Sequence, residues 1–178
     1  MRETDTHIYF WGSFLSNFYW TTIKANFSFP LYSEEVEFHS SEQYYMALKA
    51  QYFGDFTSVS KIIMAPDAKS AKAFGRKVIG FDAKEWYEIS RSKMYQAVLA
   101  KFEQNLFLRE KLLETGIKTL VEASPIDNIW GVGLHSDDDA ILDSSNWTGE
   151  NRLGQVLMDT RFVLRITKDM ETMLGESN

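Results

Sequence analysis

Two residues suited to chemistry, Glu42 and Lys49, stand seven positions apart in Ser40-Ser41-Glu42-Gln43-Tyr44-Tyr45-Met46-Ala47-Leu48-Lys49-Ala50. A carboxylate can move a proton or stabilise positive charge, and a desolvated amine can attack carbon. The stretch reads as the start of a helix. Ser40 can accept from a free N–H of the first turn, and Gln43, three residues on, can reach back. At about 100° per residue, Tyr45, Met46, Tyr52 and Phe53 form an apolar face, with Gln43 and Gln51 opposite. Glu42 and Lys49 fall in the middle of the apolar side. Helical side chains lean toward the N-terminus, so Lys49 leans toward Glu42 across about 10 Å. Burying unpaired charge is costly. The pattern admits two readings: a partly buried structural pair, or the floor of a pocket where both groups meet a substrate.

The chain that must position them has 178 residues, enough for one domain with a hydrophobic core. At 44% hydrophobic it is not a disordered sequence. It contains no cysteine, which excludes disulfides, thiolate metal sites and a cysteine nucleophile and agrees with a cytoplasmic location. The first six residues are polar and lack the apolar core of a signal peptide, and no apolar run is long enough to span a bilayer. A net charge of −6 is the wrong sign for a non-specific nucleic-acid binder. Aromatics at 15% exceed the needs of the core and point to an aromatic-lined pocket.

Residues 8–11, Ile-Tyr-Phe-Trp, read as a strand, and the apolar loop from Gly12 to Phe18 folds back on the core. In that loop Asn17 is a turn-former or a pocket polar group. Residues 25–31 and 35–38 suit a hairpin. Helices are expected over 57–64, 66–74 with Pro66 in its first turn, and 83–104, started by the capping box Asp82-Ala83-Lys84-Glu85. Further helices follow over 106–114, capped by Asn105, and 151–173, with a frayed tail from Gly175; residues 118–123 read as a strand. Arg76, just past the third helix, suits a phosphate if it borders a pocket. Around Trp130, Gly131 and Gly133 permit close backbone approach to a ligand, but their spacing is not a dinucleotide fingerprint. The run Asp137-Asp138-Asp139 lacks the spacing of a calcium loop and reads as solvated. The result is a helix-dominated α+β fold in a single domain with a few short strands.

Six segments in this order carry a resemblance: Phe14-Leu15-Ser16-Asn17-Phe18; Ser41-Glu42-Gln43-Tyr44-Tyr45 with Lys49; Gly75-Arg76; Lys101-Phe102-Glu103-Gln104-Asn105; Trp130-Gly131-Val132-Gly133; and Asn151-Arg152-Leu153-Gly154-Gln155-Val156-Leu157-Met158. Together they resemble the NADAR family, also called YbiA-like, over about residues 8–165. The chain departs from the YbiA branch in having Val132 where that branch has an acidic residue, and in inserting residues 136–145.

The resemblance implies one domain that hydrolyses N-glycosidic bonds. The substrates are phosphoribosylamino-pyrimidine intermediates of riboflavin synthesis, or ADP-ribose joined to guanine, free or in nucleic acid. Glu42 matches the family's catalytic glutamate and Lys49 its helical lysine; Trp86, Asp127 and Trp130 fall on pocket positions. Breaking a C1′–N bond builds positive charge on the ribose, which Glu42, favoured as an anion near a helix N-terminus, can stabilise or use to activate water. Alternatively Lys49, its pKa lowered by apolar surroundings, attacks C1′ and forms an imine. Asp127 is the other candidate acid or base. Tyr44, Tyr45, Trp86 and Trp130 are candidates to stack on the base, Arg76 to hold phosphate, and Asn17, Gly131 and Asn151 to complete the binding set. No metal or cofactor is required. The rival class is a nucleotide-binding module without turnover, which would not need Glu42; a purely structural protein would pair Glu42 with Lys49.

Overall fold

Side-chain caps open most of the helices. In the structure, a computed structural model describing residues 1–175, Ser40 accepts from the Gln43 N–H to start α1 (Ser41–Tyr52). Asp55 does the same for α2 (Phe56–Ile63), Asp67 for α3 (Ala68–Gly75), Asp82 for α4 (Ala83–Glu103) and Asn105 for α5 (Leu106–Glu114). Each cap satisfies an N–H that the first turn leaves unpaired. The last helix, α6, spans Arg152–Gly175; the rest of the tail expected to fray lies outside the described residues. Pro66 is not in the first turn of α3, because Asp67, one residue later, takes the cap. The strands are short: β1 (Arg2–Glu3), β2 (His7–Phe10), β3 (Ile23–Ser28), β4 (Ser33–Phe38) and β5 (Thr119–Glu122). The fold is therefore α+β and helix-dominated. Among the described residues no helix is long and apolar enough to cross a membrane.

The chain forms two compact units, one of Asn17–Gln104 and one of Met1–Ser16 with the chain from Asn105 onward. In the first unit β3 and β4 make the expected antiparallel hairpin, in register from Ile23↔Phe38 to Ser28↔Ser33. Helices α2, α3 and α4 all pack on α1. As a result α1 is buried on every side from Ser41 to Ala50, and it reaches solvent only at its end, at Gln51 and Tyr52. Gln43, expected on a polar side, is buried with the rest. Its Nε2 donates to the carbonyls of Ile62 and Ile63, each at 2.9 Å, and its Oε1 accepts from the His39 N–H at 2.8 Å. The reach-back of the capping box thus goes one residue beyond Ser40, and the same amide closes the end of α2. At the other end of the unit, Gln104 accepts from the Lys24 N–H and donates to the Lys24 carbonyl, both at 2.8 Å, holding the end of α4 to β3.

In the second unit β2 lies between β1, antiparallel, and β5, parallel. The core below gathers Tyr9, Val121, Ala123, Val132 and Ile141, with Leu134 and Trp147 at its margin. Ile141 comes from the inserted residues, which form two 3₁₀ turns, Asp139–Leu142 and Ser144–Asn146. The three consecutive aspartates remain exposed; Asp138 caps the first turn and Asp139 pairs with Arg2 at 2.9 Å.

Helix α6 packs directly on β5. Asn151, just before it, has φ of 54° and uses both ends of its amide on the strand, accepting from Glu122 N–H at 3.0 Å and donating to Leu120 O at 2.9 Å. A Cβ on Gly154 would clash with Leu120 O, a backbone atom that cannot swing away. Replacing Gly154 with alanine is therefore expected to destabilise the protein by about 1–3 kcal/mol through overpacking, despite alanine's better helix propensity; urea unfolding of the variant against wild type measures this.

Candidate active site

The first unit brings together five of the expected site residues on α1, α3 and α4. Glu42 lies in the first turn of α1, where its backbone N–H donates to the Asn17 carbonyl at 3.0 Å. The Asn17 side chain is committed as well: its Oδ1 accepts from Ser41 Oγ at 3.1 Å and its Nδ2 faces Met94 Sδ. Asn17 thus acts as an added cap that fixes the start of α1. The Glu42 side chain is only 5% exposed, and Lys72 Nζ, from α3, lies 3.9 Å from its Oε1.

Lys49 is also buried, and its ammonium rests on rings. Nζ stands 3.8 Å from the centroid of Phe81 and 5.9 Å from that of Trp86. Burial lowers the Lys49 pKa below its ordinary value; the Glu42 charge works against this, and the Arg76 charge lowers it further. Among the described residues Lys49 makes no ion pair, so the self-satisfied Glu42–Lys49 pair is not what forms. Arg76, the C-cap of α3, is exposed and close enough to act on Lys49. Trp86 is the centre of an aromatic group, with ring centroids 5.4 Å from Tyr45, 6.0 Å from Phe53 and 6.3 Å from Tyr52.

Glu42, Tyr45, Lys49, Arg76 and Trp86 thus form one neighbourhood. Tyr44 is held elsewhere in the unit, stacked on Phe38 at 4.6 Å with its hydroxyl accepting from Gln96 at 2.7 Å. Asp127, Trp130, Gly131 and Asn151 belong to the second unit, beside the end of β5. There Asp127 Oδ1 accepts from the N–H groups of Ile129 and Trp130, at 3.1 and 2.8 Å, and shapes the loop that carries the half-buried Trp130. Gly131 and Gly133 have a packing explanation. A Cβ at Gly131 would meet Ser124 and the Glu122 carbonyl, and one at Gly133, whose φ is 80°, would meet Thr148. Among the described residues no cluster of three or more histidines or carboxylates could hold a metal ion.

Two members of the neighbourhood were not singled out from the sequence, Phe81 and Lys72. Phe81 had a signal: it precedes the Asp82 cap of α4, and Trp86 is four helical residues beyond that cap, the positions of a hydrophobic staple. Lys72 precedes Arg76 by four residues and so shares its side of α3.

The NADAR domain model matches residues 9–165. The chain belongs to the NADAR family. It is 38% identical over 164 residues to an N-glycosidase of Acanthamoeba polyphaga mimivirus, a match covering 89% of this chain and 96% of that one. A riboflavin biosynthesis protein of Vibrio vulnificus is 33% identical over 148 residues, which make 83% of this chain but 34% of the longer Vibrio protein. The NMR structure of the Escherichia coli protein YbiA matches with a TM-score of 0.72 at 30% identity, covering 94% of this chain and 89% of that one. This NADAR chain is an N-glycosidase, a hydrolase acting on N-glycosyl bonds.

The lowered pKa of Lys49 in this NADAR protein has a stability consequence of definite sign. Below the lowered value the native state holds a desolvated ammonium that the unfolded chain solvates freely. That destabilisation is present in full below the folded value and disappears as pH rises from the folded value to the ordinary 10.5. Lys49→Met, which removes the charge and keeps an apolar stem against the rings, is expected to unfold at higher urea concentration than wild type at pH 7, by about 1 kcal/mol. The difference should narrow as pH approaches 10.5, which paired unfolding curves at several pH values test.

Proposed function

We propose that this N-glycosidase cleaves the C1′–N bond between a ribose 5-phosphate moiety and a heterocyclic amine, as in the phosphoribosylamino-pyrimidine intermediates of riboflavin synthesis. The observation that carries the reading is the desolvated Lys49 amine, set on Phe81 and Trp86 beside the buried carboxylate of Glu42. An amine with a lowered pKa spends more time neutral, and only the neutral form attacks carbon. The name of the Vibrio relative supports the riboflavin assignment. The family match runs through both compact units, which supports treating the chain as one functional domain. A cysteine-free chain suits work in the cytoplasm.

In this mechanism Arg76 holds the 5′-phosphate and Trp86 with Tyr45 presents aromatic surface to the heterocycle. The Lys49 amine forms a bond to C1′ as the bond from C1′ to the heterocyclic nitrogen breaks. Glu42 carries the proton that Lys49 gives up to the departing nitrogen. The new glycosylamine opens to an imine, moving a proton from nitrogen to the ring oxygen. Water then adds to the imine carbon, releasing ribose 5-phosphate and restoring the amine. Net, one water is consumed and one heterocyclic amine is freed. Within the second unit, Asp127 and Asn151 hold the loop and strand around Trp130.

Two measurements test the assignment. Glu42→Gln keeps the shape of the side chain and loses the proton carrier, so release of ribose 5-phosphate should fall about 10²–10⁴-fold with little change in melting temperature. Borohydride added during turnover should reduce the imine to a stable secondary amine, adding the sugar phosphate to the peptide that contains Lys49. Lys49→Arg should give no adduct, because guanidinium stays protonated. Turnover by Lys49→Arg without an adduct in wild type would move the chemistry to Glu42 and an activated water.

A further inference from the structure

Lys72 lies beside Glu42 without being locked to it. Its Nζ is 3.9 Å from Glu42 Oε1, longer than the 2.7–2.9 Å or so of a hydrogen-bonded ion pair. The Lys72 side chain is 33% exposed where that of Glu42 is 5% exposed, so Lys72 is the more solvent-accessible member of the pair. The ring of Phe18, 43% exposed, stands 5.4 Å from the same Nζ. Four residues further along α3 is Arg76, the cation that acts on Lys49. Residues four apart share a helix side, so α3 presents two cations one turn apart to the part of α1 that carries Glu42 and Lys49.

This arrangement has an electrostatic reason. A buried carboxylate repels a phosphorylated substrate at the point where C1′ must come close to it. A cation beside it offsets that repulsion, and one held at 3.9 Å can turn to a phosphate oxygen without first breaking a short hydrogen bond. An ammonium suits the task, since it is a compact point charge on a flexible stem.

We infer that Lys72 is a specificity-determining residue of the N-glycosidase site: it shields Glu42 in the free enzyme and transfers to the 5′-phosphate of the substrate, so that phosphorylated ribosyl compounds are preferred to their unphosphorylated counterparts. The inference rests on the ribose 5-phosphate reading above and adds to it a second phosphate contact from a residue outside the chemistry.

The test measures binding, which is independent of turnover. Ribose 5-phosphate and ribose are titrated into wild type, Lys72→Met, Lys72→Gln and Lys72→Arg, each checked for folding by its melting curve, with tryptophan fluorescence or calorimetry as readout. Wild type should bind ribose 5-phosphate more tightly than ribose. Lys72→Met and Lys72→Gln should lose about 10- to 100-fold in affinity for ribose 5-phosphate, the range of one charge-assisted hydrogen bond, and little for ribose. Lys72→Arg should retain most of the preference. In Glu42→Gln, where Lys72 is released from its partner, ribose 5-phosphate should bind more tightly than to wild type. Equal losses for both ligands would make Lys72 a structural support for Glu42 and overturn the inference. So would an unchanged preference in folded Lys72→Met and Lys72→Gln, or no preference in wild type. A wild type that shows the Lys72-dependent preference yet cleaves no phosphoribosyl substrate would support this inference and refute the functional reading.

Discussion

Everything in the first unit depends on burying a helix on all its sides while that helix carries a carboxylate and an amine. Helices α2, α3 and α4 pack on α1, and no residue from Ser41 to Ala50 reaches solvent freely. A helix buried all round is ordinarily apolar throughout. Here Glu42 and Lys49 must be kept in place without the water that would solvate them, and each is handled differently. Glu42 has its backbone held by Asn17 and its charge answered by Lys72. Lys49 has rings in place of an anion, and its ammonium gains from the ring faces only part of what water would provide. This incomplete solvation of Lys49 as a cation is what lowers its pKa, and it follows from the packing around α1.

That packing is closed by side-chain amides at points where backbone alone would leave polar groups exposed to the core. Gln43 satisfies two carbonyls at the end of α2 and one N–H before α1. Gln104 clamps both backbone groups of Lys24, and Asn151 does the equivalent for Leu120 and Glu122 on β5. An amide carries a donor and an acceptor in one plane, so it can stand in for a neighbouring strand at a single residue. This also explains why Asn151 tolerates a positive φ: the two bonds to β5 offset a conformation that asparagine adopts more readily than most residues. Gly154, one turn later, then allows α6 to approach Leu120.

Local chemistry was legible in the sequence and long-range geometry was not. The boxes beginning at Ser40 and Asp82 and the cap at Asn105 gave their helix starts to within a residue, because each is settled inside one turn. Periodicity misread α1, since it detects a difference between two sides and the stretch from Ser41 to Ala50 has none; Glu42 and Lys49 are buried there together with their neighbours on every side. The β1 strand, two residues of Arg and Glu, has no pattern to detect and exists through its pairing with Tyr9 and Ile8. The glycines around Val132 suggested space for a ligand, whereas the structure fills that space with Ser124, Glu122 and Thr148. Lys72 could not be read as a partner of Glu42, because thirty residues, two loops and the whole of α2 separate them. Phe81 does carry a local signal, since it stands at the staple position just before the Asp82 cap of α4.

The charge balance bears on which substrates such a site favours. The chain as a whole carries −6, so at long range it repels polyanions, and that repulsion fades beyond roughly 8–10 Å at physiological salt. Within that distance Lys49 and Lys72 act on Glu42, and Arg76 acts on Lys49. A small ligand with one phosphate takes the full benefit of the local cations and meets little of the distant negative charge, because its own charge is compact. A nucleic-acid strand would have to lay many phosphates over an acidic surface to bring one modified base to the same place, without the counterion release that a basic groove provides. On the ribose 5-phosphate reading proposed above, the three cationic side chains Lys49, Lys72 and Arg76 within an otherwise acidic protein would suit a free phosphoribosyl compound better than a polymeric one.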